Sequence, residues 1–136
     1  MLRHLTIRDF VIVDHLELDF GAGFGALTGE TGAGKSILLD ALGLALGGKA
    51  ESGVIRTGSA RAEIVAEFDV PADGPLRNWL VEQALGGEDE VILLRRVLES
   101  SGRSKAWLNG TPVVLSQLRM AGDLLADIHG QHAHHA

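Results

Sequence analysis

The chain has 136 residues, 46% of them hydrophobic and 22% charged, which is the composition of a soluble globular protein with one domain-sized core. Its net charge is −6, and a domain that binds nucleic acid through bulk charge alone should be basic, so any such contact would need a local patch. It has no cysteine, no cleavable apolar start and no apolar run of membrane-spanning length; we therefore expect no disulfide, no cysteine-ligated zinc and no membrane association.

The first third of the chain predicts strands followed by one helix. Apolar and polar side chains alternate within residues 2–20, a period of two that indicates two strands. A glycine-containing turn leads into a short apolar segment, residues 24–28, which we expect to be a buried strand. Residues 36–46 then predict a helix that ends at Gly47 and Gly48.

The middle of the chain predicts further strands joined by short turns. Residues 49–61 are polar and loop-like, and residues 62–70 alternate as a half-buried strand. Pro75 suits the first position of a helix, which we expect to end at Gly86-Gly87. Residues 91–99 form a strong strand candidate.

The C-terminal part predicts a hairpin and a short helix. Asn109-Gly110 is typical of a type I′ turn, so residues 105–114 should form a hairpin around it. Ser116 is expected to cap a short helix that Gly122 ends.

Residues 29–36 carry the clearest chemical signal, because they fit the phosphate-binding pattern G-x-x-x-x-G-K-[ST]. The glycines let successive backbone N–H groups point at phosphate oxygens. Lys35 would reach the β- and γ-phosphates, and the Ser36 hydroxyl would ligate Mg²⁺. The expected nucleotide-binding residues are Gly29, Glu30, Thr31, Gly32, Ala33, Gly34, Lys35, Ser36 and Ile37.

The pattern predicts an α/β fold, because it combines a strand, this loop and a helix with five or six further strands in short hairpins. We expect the N-terminal lobe of an ABC-type P-loop ATPase, with a mixed sheet whose antiparallel subdomain lies beside the phosphate-loop strand and helix.

The sequence resembles SMC-like ATPase heads over essentially its whole length, and most closely a bacterial DNA-repair branch of them. The segments that carry this resemblance are residues 5–10, 16–20, 28–36, 40–44, 56–58, 94–97, 109–111 and 128–132.

In such heads the phosphate loop lies in an N-terminal lobe, and a coiled coil separates it from a C-terminal lobe with the Walker B acid and signature motif. The resemblance implies that residues 1–136 are the first lobe of a longer protein, which by itself binds ATP without turnover. Its implied partners are its own C-terminal lobe, a second head in a homodimer and, through the full-length protein, DNA. It also implies a role in double-strand-break repair and recombination, in the cytoplasm and at the nucleoid.

Two further residues gain roles from the resemblance. Gln131 would lie in the glutamine loop and touch Mg²⁺ and the attacking water, because its amide both accepts and donates. Arg56 would act at the nucleotide, where an arginine stabilises phosphate charge. The expected catalytic residues are therefore Lys35, Gln131 and Arg56. The alternatives are that Gln131 is a surface turn residue and Arg56 a solvated loop residue.

Four basic residues could form a patch that contacts DNA, or could belong to an ordinary charged sheet face. They are Arg95, Arg96, Arg103 and Lys105. Arg95 and Arg96 should face opposite sides of their strand. Trp107 is expected in a core, with proximity to a nucleotide base as the alternative.

Other patterns are weaker. Residues 11–14 and 124–127 mimic Walker B, but their positions argue against that role. The four histidines between 129 and 135 have no cysteine or carboxylate cluster to complete a metal site. Other SMC- or ABC-type lobes and an unrelated small nucleotide kinase remain alternatives; a GTPase is disfavoured because an NKxD motif is absent.

Overall fold

The computed structural model describes residues 2–20, 32–50, 53–86 and 90–128, with side chains described throughout these ranges except at 32–35. The predicted strand at 24–28, the first part of the phosphate-loop motif and Gln131 lie outside the described residues. The described elements are β1 (Leu2–Phe10), β2 (Val13–Asp19), α1 (Gly32–Ala45), β3 (Arg61–Asp69), α2 (Pro75–Glu82), β4 (Val91–Glu99), β5 (Ser104–Leu108), β6 (Thr111–Val113) and α3 (Leu115–Ile128).

The described strands form one sheet in the order β2-β1-β3-β4-β5-β6, with every adjacent pair antiparallel. The register places Ile64 of β3 between Ile7 of β1 and Arg96 of β4. The predicted antiparallel subdomain is therefore confirmed.

One face of this sheet forms the core. Alternate residues of the central strands point to this face, where their apolar side chains are buried. Removing this apolar surface from water favours the fold. Helix α1 contacts β1, β3 and β4, and α3 contacts β5 and α2. The buried set on the sheet includes Leu5, Ile7, Ala62, Ile64, Ala66, Phe68, Ile92, Leu94, Leu98, Ala106 and Leu108. Among the described helices, none is both long enough and apolar enough to cross a membrane.

Helix α1 ends at the glycine pair predicted from the sequence. The Gly48 N–H donates to the Gly43 carbonyl at 2.9 Å, and the Gly47 N–H donates to the Leu44 carbonyl at 3.1 Å. Gly47 has φ +97°, a conformation that costs a glycine little. Together these features form a Schellman motif that satisfies carbonyls of the last turn.

The predicted stop at Gly122 is wrong, because α3 continues through it to Ile128. Gly122 is buried against the end of α1, where a Cβ added to this glycine would lie 2.4 Å from the Leu46 carbonyl oxygen. Close approach of two helices therefore requires a glycine here, which outweighs its cost of about 1 kcal/mol in helix propensity.

The predicted cap at Ser116 is also wrong. Ser116 is exposed inside the first turn of α3, and the Val114 N–H donates instead to Oε1 of Gln117 at 3.0 Å. A glutamine that reaches back three positions is one half of a capping box.

Helix α2 begins at Pro75 as predicted but ends at Glu82, four residues before Gly86. Leu85 lies beyond the helix and is nevertheless buried. The predicted hairpin turn is confirmed: Asn109 and Gly110 have φ values of +50° and +85°, as a type I′ turn requires.

Candidate nucleotide-binding site

Helix α1 begins at Gly32, inside the G-x-x-x-x-G-K-[ST] motif, so the last residues of the motif form its first turn. The backbone N–H groups of a first turn have no partner within the helix and carry partial positive charge. Ser36 is exposed here, whereas the Ile37 side chain packs against the core. No acidic side chain occupies this turn, so nothing in it competes with an anion.

Side chains along α1 fix which way the helix faces. Ala41 and Ala45 are fully buried and Leu44 nearly so, whereas Leu39 is 69% exposed. The helix therefore lies on the sheet by one flank, and its opposite flank is open in the described part of the chain.

The C-terminal end of α1 is bound by two arginines. Arg96 donates from its guanidinium to the carbonyl oxygens of Leu44, at 2.9 Å, and of Gly48. Arg119 donates to the Gly47 carbonyl at 3.3 Å. Burial lowers the pKa of Arg96, and the charge of Arg119 lowers it further.

The hairpin between β1 and β2 places Arg56. The Arg56 N–H donates to the Asp9 carbonyl at 2.8 Å, and the Val11 N–H donates to the Val54 carbonyl at 2.6 Å. Asp9 and Val11 have φ values of +50° and +56°, which bends the hairpin tip toward this loop. A β-branched residue in that conformation costs about 1–3 kcal/mol, so the surrounding contacts must over-determine it.

The Arg56 side chain is 42% exposed, and its contacts with carboxylates are long. Its NH1 nitrogen lies 3.8 Å from Oδ1 of Asp9 and 4.0 Å from Oδ1 of Asp14. Such half-exposed pairs contribute about 0–1 kcal/mol, so little free energy holds the guanidinium in this orientation.

A cleft of about 380 Å³ separates this hairpin from the open flank of α1. Phe10, Val11 and Val54 line one side, and Leu39 and Asp40 line the other. The cleft runs beside the same helix whose first turn carries the phosphate-loop motif.

The predicted site residues are therefore described to different extents. Gly29, Glu30, Thr31 and Gln131 lie outside the described residues, and Lys35 is described only as part of the α1 backbone. Across the described ranges, no group of three or more His, Asp or Glu side chains could hold a metal ion. Of the two expected Mg²⁺ ligands, Ser36 alone is described.

A Walker B acid lies at the end of a buried strand, and neither of the two segments that mimic this motif lies there. Residues 11–14 span the β1–β2 hairpin tip, where Ile12 is 76% exposed, and residues 124–127 lie inside helix α3. The expectation that both are mimics agrees with this placement.

The predicted basic patch is wrong for Arg96, which is 1% exposed on the helix face of the sheet. On the other face Arg95 pairs with Glu63 and stacks on Trp107, with its guanidinium 4.3 Å from the ring centroid. Lys105 lies 3.4 Å from a carboxylate oxygen of Glu99. This face is therefore largely charge-compensated, and Trp107 is half-buried on it beside Arg95.

Sequence reasoning missed the role of Arg96, although a signal was present. Position 96 shares its period-two register with Ile92, Leu94 and Leu98, which are all buried. An arginine in a buried register must meet acceptors inside the fold.

Comparison with a family model described as AAA domain gives a match over residues 4–117. Two similar curated relatives are both named DNA repair protein RecN. The protein from Xylella fastidiosa (strain 9a5c) is 49% identical over 134 residues, covering 98% of this chain and 24% of the relative. The protein from Bacillus subtilis (strain 168) is 43% identical over 132 residues, covering 97% and 23%. The chain thus spans about a quarter of the length of these relatives.

Solved structures give the same picture of the fold. A chain from work on "ATP-driven dimerization and DNA stimulated activation of SMC ATPases" has a TM-score of 0.67 at 25% identity, covering 92% of this chain and 77% of that one. The recombination mediator protein RecF has a TM-score of 0.61 at 15% identity, covering 87% and 29%, a likeness of fold alone. The chain belongs to the AAA-domain family, and its fold is that of the SMC-like, ABC-type ATPase lobe that the sequence predicts.

Proposed function

We propose that the chain binds ATP with Mg²⁺ at the N-terminal end of α1, as the nucleotide-binding lobe of a RecN-like ATPase in DNA double-strand-break repair and recombination. The observation that carries this proposal is the start of α1 at Gly32, within the phosphate-loop motif. The similarity to proteins named RecN over nearly the whole chain supports the biological role.

In this proposal the backbone N–H groups of residues 29–34 surround the phosphates, and the helix adds its positive end. Lys35 neutralises the β- and γ-phosphate oxygens, and Ser36 and Gln131 are the protein ligands of Mg²⁺. Gln131 also orients the attacking water, since an amide accepts and donates at once.

Arg56 would turn from its long contacts with Asp9 and Asp14 toward the γ-phosphate. Three negatively charged phosphate oxygens offer shorter, charge-assisted hydrogen bonds than the two carboxylates at 3.8 and 4.0 Å. The exposed position of the guanidinium makes this rotation inexpensive.

We further propose that the chain is the N-terminal lobe of a split head. Its partners would be a C-terminal lobe that supplies the Walker B acid and signature motif, a second head, and DNA. The roughly fourfold greater length of the relatives supports the first of these, and the ATP-driven dimerization of the similar SMC ATPases supports the second. The complete protein would act in the cytoplasm, at the nucleoid.

The experiment that tests ATP binding is the variant Lys35→Ala in the full-length protein, with Lys105→Ala as the matched control on the far face of the sheet. Equilibrium titration with a fluorescent ATP analogue and Mg²⁺ measures the affinity. Loss of a charge-assisted contact should weaken binding by at least about tenfold in Lys35→Ala, with little change in the control. Equal affinities for the two variants would refute the proposed site.

A further inference from the structure

Arg96 is the one charged side chain that is buried among the residues the structure describes. It projects from the centre of β4 toward α1. Its guanidinium donates to the carbonyls of Leu44 and Gly48 and, through Nε, to Oγ of Ser104 at 3.0 Å. In the same described ranges, no carboxylate oxygen lies within 4.0 Å of it.

The charge of Arg96 is therefore balanced by a helix end rather than by an acid. The carbonyls at the C-terminal end of a helix carry partial negative charge, which a cation stabilises. Arg119 adds a second cation at the same end through the Gly47 carbonyl.

The same helix end is also confined sterically by α3. A Cβ added to Gly47 would lie 2.6 Å from Cα of Arg119, and one added to Gly122 would lie 2.4 Å from the Leu46 carbonyl oxygen. The end of α1 thus contacts α3 on one side while Arg96 binds it from the sheet.

The sheet that carries Arg96 also carries the hairpin that holds Arg56. Arg96 lies opposite Ile64, and Ile64 lies opposite Ile7, two residues before Asp9. The Asp9 carbonyl accepts the Arg56 N–H. One hydrogen-bonded frame therefore connects the anchor of α1 to the loop of Arg56.

We propose that Arg96 is a positioning residue for the nucleotide site, which fixes α1 so that its first turn stands at a constant place relative to Arg56. This inference rests on the proposed ATP binding at that turn. A 14-residue helix is about 20 Å long, so a tilt of about 5° at the anchored end moves the first turn by about 2 Å. A displacement of about 1 Å in a reacting group can cost about 100-fold in rate.

A positioning role differs from a purely structural one in what a substitution changes. Methionine in place of Arg96 keeps much of the buried volume but removes the donor of three hydrogen bonds, so the substitution should lower stability as well. It leaves the carbonyls of Leu44 and Gly48 without their donor. A purely structural role predicts that the folded fraction of this variant binds nucleotide with wild-type affinity, whereas a positioning role predicts weaker binding by the folded protein.

The test compares Arg96→Met and Arg96→Lys with Arg95→Met in the full-length protein. Arg95 is the matched control, because it neighbours Arg96 on the same strand but faces away from α1. Affinity for a fluorescent ATP analogue with Mg²⁺ is measured at a temperature where urea titration shows each variant to be folded. We expect at least a tenfold loss in Arg96→Met, affinity within about twofold of wild type in Arg96→Lys, whose ammonium still donates to the same carbonyls, and no loss in Arg95→Met.

A folded Arg96→Met that binds the analogue as tightly as wild type would overturn the inference, as would an equal loss in Arg95→Met. If Arg96→Met does not fold, Arg96→Gln decides, because its amide keeps a donor but loses the charge and the fork of the guanidinium: at least about a fivefold loss in the folded variant supports the inference, and wild-type affinity overturns it. Lys35→Ala separates the two proposals. Unchanged binding in that variant would refute the phosphate-loop site itself, whereas weakened binding there with no effect at Arg96 would refute the positioning role alone.

Discussion

Arg96 donates a hydrogen bond to the main-chain carbonyl of Leu44 at 2.9 Å, across 52 positions of sequence. This bond joins the centre of the antiparallel sheet to the last turn of the helix whose first turn carries the phosphate-loop motif. In the proposed arrangement, the nucleotide-binding end of α1 therefore depends on contacts made at its opposite end.

The junction between α1 and α3 predicts opposite outcomes for two glycines in helices. Gly122→Ala should destabilise the protein by about 1–3 kcal/mol, because its Cβ would overlap the Leu46 carbonyl. Gly43→Ala is the control: a Cβ there meets nothing within 4 Å, so better helix propensity should stabilise the protein by about 0.5–1 kcal/mol. Urea denaturation measures both, and equal effects would contradict the packing described.

Asn109 should contribute more to stability than its half-buried position suggests. Its Oδ1 accepts the Leu93 N–H at 2.8 Å, and its Nδ2 donates to the Leu85 carbonyl at 2.8 Å. Its backbone also has positive φ, which asparagine tolerates better than alanine. Asn109→Ala should therefore cost about 2–3 kcal/mol in thermal or urea unfolding. Asn78→Ala, at an exposed position of α2, should cost below about 0.5 kcal/mol; a comparable cost at both sites would count against these bonds.

The proposed role of Arg56 predicts a loss in turnover. Arg56→Ala in the full-length protein should lower kcat for ATP by at least about tenfold, because arginines that stabilise transferring phosphate charge supply large factors. Arg61→Ala, at the exposed start of β3, serves as the control. Steady-state ATPase assays decide, and a wild-type kcat in Arg56→Ala would remove this residue from the mechanism.

The charge-compensated sheet face predicts little effect on DNA binding. Lys105 is paired with Glu99, and Arg95 is paired with Glu63. Lys105→Ala should therefore leave DNA affinity within about twofold and the salt dependence unchanged. A shallower slope of log affinity against log salt would instead identify phosphate contacts on this face.

Local patterns predicted most of the described elements, because each depends on neighbouring residues. The bounds of β4 match its apolar run, Asn109-Gly110 sets its own turn, and Gly47 ends α1 through bonds within the helix. Gly122 and Arg96 were misread because their roles depend on α1, which lies more than 45 positions away in sequence.

The candidate site was predictable as a motif but not as an arrangement. The phosphate-loop pattern predicted a helix that leaves the loop at residue 36, whereas α1 begins at Gly32, within the motif. The bend that places Arg56 requires positive φ at Asp9 and Val11, which local propensity does not favour. Such strained positions are set by the packing around them, so local propensity predicts against them.

Amide hydrogen exchange of the full-length protein, with and without ATP and Mg²⁺, tests the central claim most directly. Binding at the N-terminal end of α1 would protect the backbone N–H groups of residues 29–37, which are proposed to donate to the phosphates, more than those of the open β4–β5 turn. The proposal predicts that this protection appears with ATP and disappears in Lys35→Ala. Unchanged exchange at residues 29–37 under saturating ATP would contradict it.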